Sequence, residues 1–516
     1  MSTHRRLAKS AGIIGALTGV SRVLGFVRDM VIAAAFGTGV GAEAFVVSFK
    51  LPNLLRDLVG ERATNSAFVP VLTECREKKQ EEFWPLVSTL FYILSVALVF
   101  LTVLGVVFAP QIVKLLAPGF VYSQDPEKFP LTVRLTRAMF PYIFLIGLSA
   151  LAMGVLNALK EFTSSALGPA LLNVSLIVAG VCYEKTYGPM ALVFGVLVGG
   201  VLQLGCQVPA LLKSGFRLTL PRFDLAAVRK TGKLLIPRAL GSAIYQINVF
   251  VDSILASFEK IVGIGGQSAL YYSNRLFQLP LAIFGIALAQ AVLPTFSTQI
   301  VRRDIQGFKE TISMALRSLI LLAVPASVGL IVLARPIIRI IFQHGRFNAY
   351  STAITSNALF FYAFGLLSCS FIKIFVNAFY ATQDTRTPVK TMAFSVVVNV
   401  ALSLCFMKPL GVGGLALASS LSATLNTVLL YRALKAKIGP LGEKEIAVCF
   451  VKALFCSLAM AATVLFYDRW VLEPHMVAGR TVQMILLFAG IGAGVAVYLV
   501  CGWLVRVREL RKLLGQ

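Results

Sequence analysis

Charged side chains interrupt two early apolar stretches and one later stretch, and these are the residues whose types and spacing could do chemistry. The basic ones are Arg22, Arg28, Lys50, Arg56, Arg62 and Arg275, and the acidic ones are Asp29, Asp57 and Glu61. A charge at the middle of a bilayer costs at least a few kcal/mol, so such groups should face a protein interior or a wet cavity. The basic groups outnumber the acidic ones, and a guanidinium fork suits phosphate oxygens. The pattern therefore predicts a cationic cavity for a phosphorylated or carboxylated substrate.

A second interpretation of these charged groups stays open beside the cationic cavity. Arg28 with Asp29, or Arg56 with Glu61, could instead form buried ion pairs that take no part in ligand binding. Spacing alone puts Arg22 on the same helical face as Asp29, about 10 Å away along the axis.

A further acidic residue lies in the middle of a later apolar run. Asp252, near Asn248 in IYQINVFVDSI (244–254), is a candidate for binding a coupling Na⁺ or H⁺. It is equally a candidate for a hydrogen-bonded packing residue.

The sequence lacks the motifs of several enzyme classes. TGKLL (231–235) has neither the glycine spacing nor the hydroxyl residue of a nucleotide-binding phosphate loop. The eight cysteines and three histidines show no metal-ligand spacing, and no loop carries paired carboxylates or a His/Asp constellation. We therefore expect a protein that is not an enzyme, with no metal and no cofactor other than a coupling ion.

Composition indicates a membrane protein. Of the 516 residues, 57% are hydrophobic and 14% are charged, and the mean hydropathy is +0.82. In soluble domains about 45–50% of the residues are apolar and about 25% are charged. We predict an all-α polytopic protein with about fourteen apolar spans, each near the roughly 20 residues that cross the hydrocarbon core. The predicted spans are 10–36, 41–73, 84–110, 131–159, 163–183, 188–213, 226–258, 266–300, 309–334, 350–381, 388–407, 411–437, 445–467 and 481–505.

The net charge of +25 comes mainly from loops between the spans. Loops after even-numbered spans are rich in Lys and Arg, which is typical of an inner-membrane protein whose basic loops face the cytoplasm. An even number of spans then places both termini in the cytoplasm, and we expect contact with membrane lipids and not with nucleic acid. The loop with Arg335, Arg339 and Arg346 departs from this pattern.

The chain also repeats itself at an offset close to six helices. The matching pairs are FKLPNLL (49–55) with FQLPLAI (277–283), 156–169 with 376–388, and 188–215 with 411–439. This predicts two parallel six-helix repeats, an arrangement found in secondary transporters. We place the N-terminal lobe at 1–220, the C-terminal lobe at 221–440, and two additional helices at 441–516.

Seven short motifs carry a resemblance to a known family. They are SRVLGFVRD (21–29), EAF (43–45), FKLPNLLR (49–56), SAFVP (66–70), APGF (117–120), YYSNRLFQLP (271–280) and QDTRTPVK (383–390). Together they resemble the MurJ (MviN) lipid II flippase family of the multidrug/oligosaccharidyl-lipid/polysaccharide exporter superfamily. The resemblance implies a V-shaped pair of six-helix lobes around a central cationic cavity, and a groove for a lipid tail along the last two helices.

The same resemblance implies a substrate and a set of site residues. The family moves lipid II, an undecaprenyl-pyrophosphate-linked peptidoglycan precursor, from the cytoplasmic to the periplasmic leaflet, which makes cell-wall synthesis proteins expected partners. By motif, its site residues fall on Arg22, Arg28, Asp29, Lys50, Arg56, Glu61 and Arg275. Three positions depart from the family pattern: Glu43 replaces the usual Asp, Asp57 a common basic residue, and Arg62 a usual glycine.

We hypothesise alternating access driven by an ion gradient or the membrane potential. The alternatives are a flippase for another polyprenyl-linked glycan, a drug exporter of the same fold, and a membrane-embedded enzyme acting on polyprenyl phosphates. An exporter of cationic drugs should line its cavity with carboxylates. The enzyme would need an acidic metal-binding cluster or a catalytic histidine near a membrane face, and the sequence shows neither.

Overall fold

Helices make up all of the regular structure in the part of the chain that the computed structural model describes. That part covers residues 3–55, 68–222, 227–231, 248–475 and 478–505. The hydrocarbon core of a bilayer offers no water to pair with backbone groups, and a helix satisfies its own N–H and C=O groups. The predicted all-α class is confirmed.

Contacts divide the chain into two compact units. Unit 1 consists of Met1–Glu259 and His344–Phe347, and unit 2 of Lys260–Gln343 and Asn348–Gln516. The division into three parts at residues 220 and 440 stays a prediction.

Besides the short helical segments 118–122 and 227–231, unit 1 contains eleven described helices, several of which share one apolar core. The helices are α1 (Thr3–Phe36), α2 (Val40–Leu55), α3 (Val69–Lys78), α4 (Gln80–Val107), α5 (Ala109–Leu116), α6 (Lys128–Met139), α7 (Pro141–Ala158), α8 (Thr163–Cys182), α9 (Glu184–Tyr187), α10 (Met190–Lys213) and α11 (248–256). Ile32, Phe45, Tyr142, Leu176 and Val193 bring five of these helices into that core.

Unit 2 begins inside a short helix that starts at Glu259. Its helices are α12 (Glu259–Val262), α13 (Gly266–Pro280), α14 (Ala287–Val301), α15 (Ile305–Val332), α16 (Ala334–Phe342), α17 (Ala349–Ala363), α18 (Leu366–Ala381), α19 (Arg386–Leu410), α20 (Val412–Ile438), α21 (Glu443–Tyr467) and α22 (Arg480–Leu504). A core of Phe296, Phe308, Phe375, Phe379 and Leu430 joins α14, α15, α18 and α20.

Ten helices or continuous helical runs in the described part are long and apolar enough to cross a membrane. The pair α17 and α18, bent by 46°, makes an eleventh if it is one broken span. Of the other three predicted spans, 10–36 is helical but carries three charges, and 41–73 and 226–258 lie partly outside the described residues. The chain is a multi-pass membrane protein, and the count of fourteen stays a prediction.

The surface of α4 shows what solvent these helices face. Val96, Phe100 and Val103 on this helix are 71%, 63% and 55% exposed. A continuous apolar surface of this kind is unfavourable in water and marks contact with a lipid or a partner. Together with the length of the helix, it indicates that α4 faces the hydrocarbon core.

The internal repeat reappears in the helix bounds. Both α4 and α15 are 28 residues long, and their first residues are 225 positions apart. Lys160 and Gln383 both adopt a left-handed backbone, with φ of 67° and 59°. Because a positive φ is uncommon outside glycine, its recurrence marks the same turn in both repeats.

The three arginines that depart from the charge pattern have ordered surroundings. Arg335 and Arg339 lie on the exposed side of α16, whose residues Ile338 and Ile340 are buried. Arg346 pairs with Glu184 of unit 1 at 3.1 Å. Two of these charges therefore belong to an amphipathic helix and the third to an ion pair.

The turn that contains Arg346 requires a glycine. Gly345 has a φ of +61°, and a Cβ built on it would lie 2.3 Å from the carbonyl oxygen of Ala34. The backbone N–H of Arg346 donates to the same oxygen at 2.8 Å. The segment therefore packs directly on the backbone of α1.

We predict that Gly345→Ala destabilises the protein more than Gly188→Ala does. Gly188 has a similar φ of +57° but no atom within 4 Å of a built Cβ, so its substitution costs only the backbone strain of about 1–3 kcal/mol. Gly345→Ala adds a clash with a backbone oxygen. The apparent unfolding temperatures of both purified variants in detergent measure the difference, and equal temperatures would contradict this account of the turn.

Candidate functional site

Arg28 and Asp29 form a buried ion pair on α1. Arg28 is 5% exposed and Asp29 is fully buried. The Nε and Nη2 groups of Arg28 donate to Asp29 Oδ1 at 3.0 and 2.7 Å, and Nη1 donates to Asn173 Oδ1 on α8 at 3.0 Å. Asn173 Nδ2 in turn donates to the carbonyl oxygen of Ser21 at 3.0 Å. The guanidinium is thus held in one orientation by two helices.

Close packing of α1 against α8 brings Asn173 within reach. Gly180 lies on the contact face of α8, where a built Cβ would be only 2.8 Å from Val31 Cγ1 on α1. Small residues at a helix contact allow two backbones to approach closely in a membrane. The amide of Asn173 can therefore reach a guanidinium on the neighbouring helix.

For the first motif, the structure shows where the charged side chains lie. The pairing of Arg28 with Asp29 is present, while Arg22 on the same helix is exposed. Arg22 and Asp29, which share a helical face by spacing, thus differ in burial. A role for these residues in substrate binding stays a prediction.

The second predicted motif is described only in part. Lys50 on α2 is half-buried and lies within electrostatic range of Asp252 on α11 and of Glu43. Asp252 therefore faces an ammonium group, which the sequence did not predict, and Asn248 lies one turn before it on the same helix. Arg56 and Glu61 lie outside the described residues, as do the departures Asp57 and Arg62.

A buried cluster of three charged groups in unit 1 was missed by sequence reasoning. The Nζ atom of Lys128, the first residue of α6, donates to carboxylate oxygens of both Glu43 and Glu259. It also lies 4.2 Å from the ring centroid of Phe120, and Ser123 Oγ donates to the other Glu259 oxygen at 2.8 Å. Lys128 belongs to the polar stretch QDPEKFP, which is typical of a surface loop, so no sequence signal marked it as buried.

In unit 2, Arg275 is exposed on α13. Its guanidinium carbon lies 5.5 Å from the ring centroid of Tyr271, one helical turn earlier. This distance permits a cation–π interaction between the two side chains.

The QDTRTPVK motif caps α19. Asp384 Oδ1 accepts hydrogen bonds from the backbone N–H groups of Arg386 and Thr387 at 3.1 and 3.0 Å. Hydrogen bonds from Lys437 and Thr387 hold the pKa of Asp384 well below its usual range. The motif therefore has a structural role at a helix start.

The likeness to known proteins extends well beyond the motifs. The family described as "Lipid II flippase MurJ" matches residues 32–486. The chain belongs to this family. Its members are named flippases, so the chain is a transporter and not an enzyme.

Individual relatives match over most of their length. "Probable lipid II flippase MurJ" of Haemophilus influenzae is 37% identical over 472 residues, which cover 87% of this chain and 91% of the relative. "Lipid II flippase MurJ" of Burkholderia cenocepacia is 35% identical over 430 residues, 82% of each chain.

Solved structures agree with this assignment. A lipid II flippase MurJ in an inward closed conformation superposes with a TM-score of 0.79 at 26% identity, over 97% of this chain and 99% of that one. An inward-facing multidrug resistance MATE transporter shares the fold, with a TM-score of 0.70 at 14% identity over 82% of this chain and 96% of that one.

We predict that Asp29→Ala strongly destabilises the protein, because Arg28 keeps its charge and would lose its carboxylate partner. Breaking a buried ion pair on one side costs about 3–5 kcal/mol. The matched control is Glu74→Ala, which removes an exposed carboxylate paired with Lys78 and Lys230. Apparent unfolding temperatures in detergent compare the two, and a similar small change in both would show that the Arg28 pair contributes no more than a surface pair.

Proposed function

We propose that this chain moves lipid II from the cytoplasmic to the periplasmic leaflet of a bacterial cytoplasmic membrane, with both termini in the cytoplasm. The proposal is supported by the names of relatives that match over most of the chain and by the likeness to a MurJ structure along nearly its whole length. Cell-wall synthesis proteins stay predicted partners.

The observation that carries the proposal is the buried, oriented guanidinium of Arg28. Lipid II contains a diphosphate, and a guanidinium offers planar pairs of N–H donors that fit phosphate oxygens. Arginine also stays charged on burial, and Asp29 and Asn173 fix its orientation in advance. A substrate phosphate would therefore meet a donor group that loses little conformational entropy on binding.

In this mechanism the other predicted residues complete a cationic substrate path. They are Arg22, Lys50, Arg56 and Arg275. Asp29 and Glu61 would keep the arginines oriented and exchange partners as access alternates between the two sides of the membrane. Each exchange replaces one charge-assisted hydrogen bond with another, so no charge is left alone in an apolar region.

The last two helices offer a surface for the polyprenyl tail. On α21 and α22, Phe455, Phe466 and Phe488 are 60%, 66% and 69% exposed. Built Cβ atoms on Gly490 and Gly494 would lie 2.7 and 2.6 Å from Tyr467 and Val464, so the two helices pack closely. A paired apolar surface of this kind suits an isoprenoid chain that stays in lipid.

Energy for the transport would come from an ion gradient or from the membrane potential, which is worth about 2.3 kcal/mol per charge per 100 mV. Asp252, with Asn248, is the candidate residue for a coupling Na⁺ or H⁺. Its electrostatic interaction with Lys50 would connect ion binding to α2, which carries the second motif.

We predict that Arg28→Ala lowers lipid II exposure at the outer leaflet by at least about tenfold, since a charged hydrogen bond contributes about 1.5–3 kcal/mol. Exposure is measured in cells depleted of their own flippase and supplied with this chain. Arg302→Ala, at an exposed position after α14, is the control and should restore exposure like the unmodified chain.

The double variant Arg28→Ala/Asp29→Ala removes both charges and separates loss of function from loss of folding. It should reach the membrane at normal level and still fail to expose lipid II. Growth supported by either variant at normal level would exclude Arg28 from the substrate path. If the unmodified chain reaches the membrane but restores no exposure, another polyprenyl-linked glycan becomes the better substrate.

We predict that Asp252→Asn makes lipid II transport insensitive to one gradient. In proteoliposomes, the Na⁺ gradient, the pH gradient and the membrane potential are collapsed one at a time. Transport by the unmodified chain should slow only when the coupled gradient is collapsed. Asp252→Asn should be slow under every condition, because it cannot neutralise a cation. The same gradient dependence in the variant and the unmodified chain would remove Asp252 from coupling.

A further inference from the structure

We infer that Arg335 and Arg339 on α16 bind the diphosphate of a polyprenyl lipid, at the end of unit 2 that faces the periplasm in the predicted topology. The inference deepens the proposed function, and lipid II as the natural ligand rests on that function. Both arginines belong to the loop whose basic charge departs from the distribution expected of an inner-membrane protein. A site for lipid that has reached the outer leaflet gives those charges a use.

The helix α16 presents the two arginines on one exposed face. Ile338, Ile340 and Phe342 are buried, whereas Arg335 and Arg339 are exposed. Residues four apart on a helix are neighbours, with Cβ atoms about 5–6 Å apart. Each guanidinium offers a planar pair of N–H groups, so two of them at this spacing can each hold one phosphate of a diphosphate.

The positive charge of this face is not compensated by acidic side chains. Within the residues that the structure describes, neither arginine forms an ion pair, and the carboxylates of unit 2 that do so, Asp384 and Glu443, pair with lysines. Like charges one helical turn apart destabilise each other. A bound anion would relieve that repulsion.

The helix α16 lies at the end of unit 2 where α21 also ends. It follows directly after α15, which runs in the same direction as α21. Cys449 Sγ, near the start of α21, donates to the carbonyl oxygen of Arg317 at 3.8 Å, and a Cβ built on Gly329, near the end of α15, would lie 4.0 Å from Met460 Cε. The ends of α15 and α21 are therefore on the same side.

Arg480 connects α16 to the surface proposed for the polyprenyl tail. It is the first residue of α22, and its Nη2 group donates to the carbonyl oxygen of Ile341 near the end of α16 at 3.3 Å. Phe466 and Trp470, at the end of α21, are 66% and 65% exposed, and tryptophan is enriched where a membrane meets water. A tail that follows α21 and α22 in the outer leaflet would place its diphosphate at the level of α16.

The equivalent helix of unit 1 lacks the arginine pair. By the offset of 225 residues between α4 and α15, α5 corresponds to α16, Lys114 to Arg339 and Pro110 to Arg335. Both helices bury an apolar face. The pair is therefore a property of α16 and not a requirement of the repeated fold.

Charge favours a diphosphate over the single phosphate of a bilayer phospholipid. The diphosphate of lipid II carries one negative charge on each phosphate, which matches two guanidinium groups. Phosphatidylglycerol carries a single negative charge and would leave one guanidinium uncompensated.

Photo-crosslinking in phosphatidylcholine nanodiscs tests the site. A benzophenone amino acid replaces Gln343, which lies one turn after Arg339, and the probe is labelled undecaprenyl diphosphate. The unmodified arginine pair should give a cross-link, and Arg335→Gln/Arg339→Gln should lower its yield at least about tenfold, because hydrogen bonds to two charged groups are lost. The matched control is Lys114→Gln at the exposed position of α5, which should leave the yield unchanged.

Three results would overturn the inference. They are the absence of a cross-link with the arginine pair intact, equal yields in the glutamine double variant and Lys114→Gln, and loss of the cross-link when phosphatidylglycerol is added in excess. The last result would identify a general site for anionic phospholipids. If the double variant does not fold, Arg335→Gln and Arg339→Gln decide singly, since each should lower the yield several-fold.

The outcome is independent of transport, because undecaprenyl diphosphate reaches both faces of a nanodisc. A cross-link that depends on Arg335 and Arg339, in a chain that exposes no lipid II in cells, would keep the site and contradict the proposed function. Normal lipid II exposure together with a cross-link that ignores both arginines would contradict the site alone.

Discussion

Arginine keeps its positive charge wherever it is buried, and α1 carries one such charge on a face that packs against α8. Several features of unit 1 follow from this constraint. Asp29 compensates the charge of Arg28, and Asn173 accepts a hydrogen bond from another of its N–H groups. Gly180 allows the two helices to come close enough for that contact. A charge that cannot be neutralised by losing a proton must be compensated by neighbouring groups.

Lys128 is a second buried positive charge in unit 1, and it is compensated in a different way. There the compensating groups come from different elements, Glu43 from α2 and Glu259 from the start of α12. The cluster therefore joins α2, α6 and the segment after α11 within unit 1.

The architecture was largely predictable from the sequence, because hydropathy and helix length determine which segments cross a membrane. Every described part of the fourteen predicted spans contains helix. The burial of Arg28 inside the protein was also predictable, since a charge inside an apolar run must avoid the lipid. Its partner Asn173 was not, because that contact depends on which face α8 turns towards α1. Lys128 was missed for a different reason: its polar neighbours in sequence gave no sign that tertiary packing would bury it.

The position of the first ion pair has a consequence for how the protein is made. Arg28 and Asp29 are adjacent in sequence and pair within a single helix, so the pair can form as soon as α1 leaves the ribosome. If α1 crosses the membrane as predicted, an arginine near its centre raises the cost of its insertion by about 2.5–3.5 kcal/mol on the insertion scale. A neighbouring carboxylate would lower that cost before α8 is synthesised. The helix α1 would then be stable in the bilayer before the hydrogen bond to Asn173 forms.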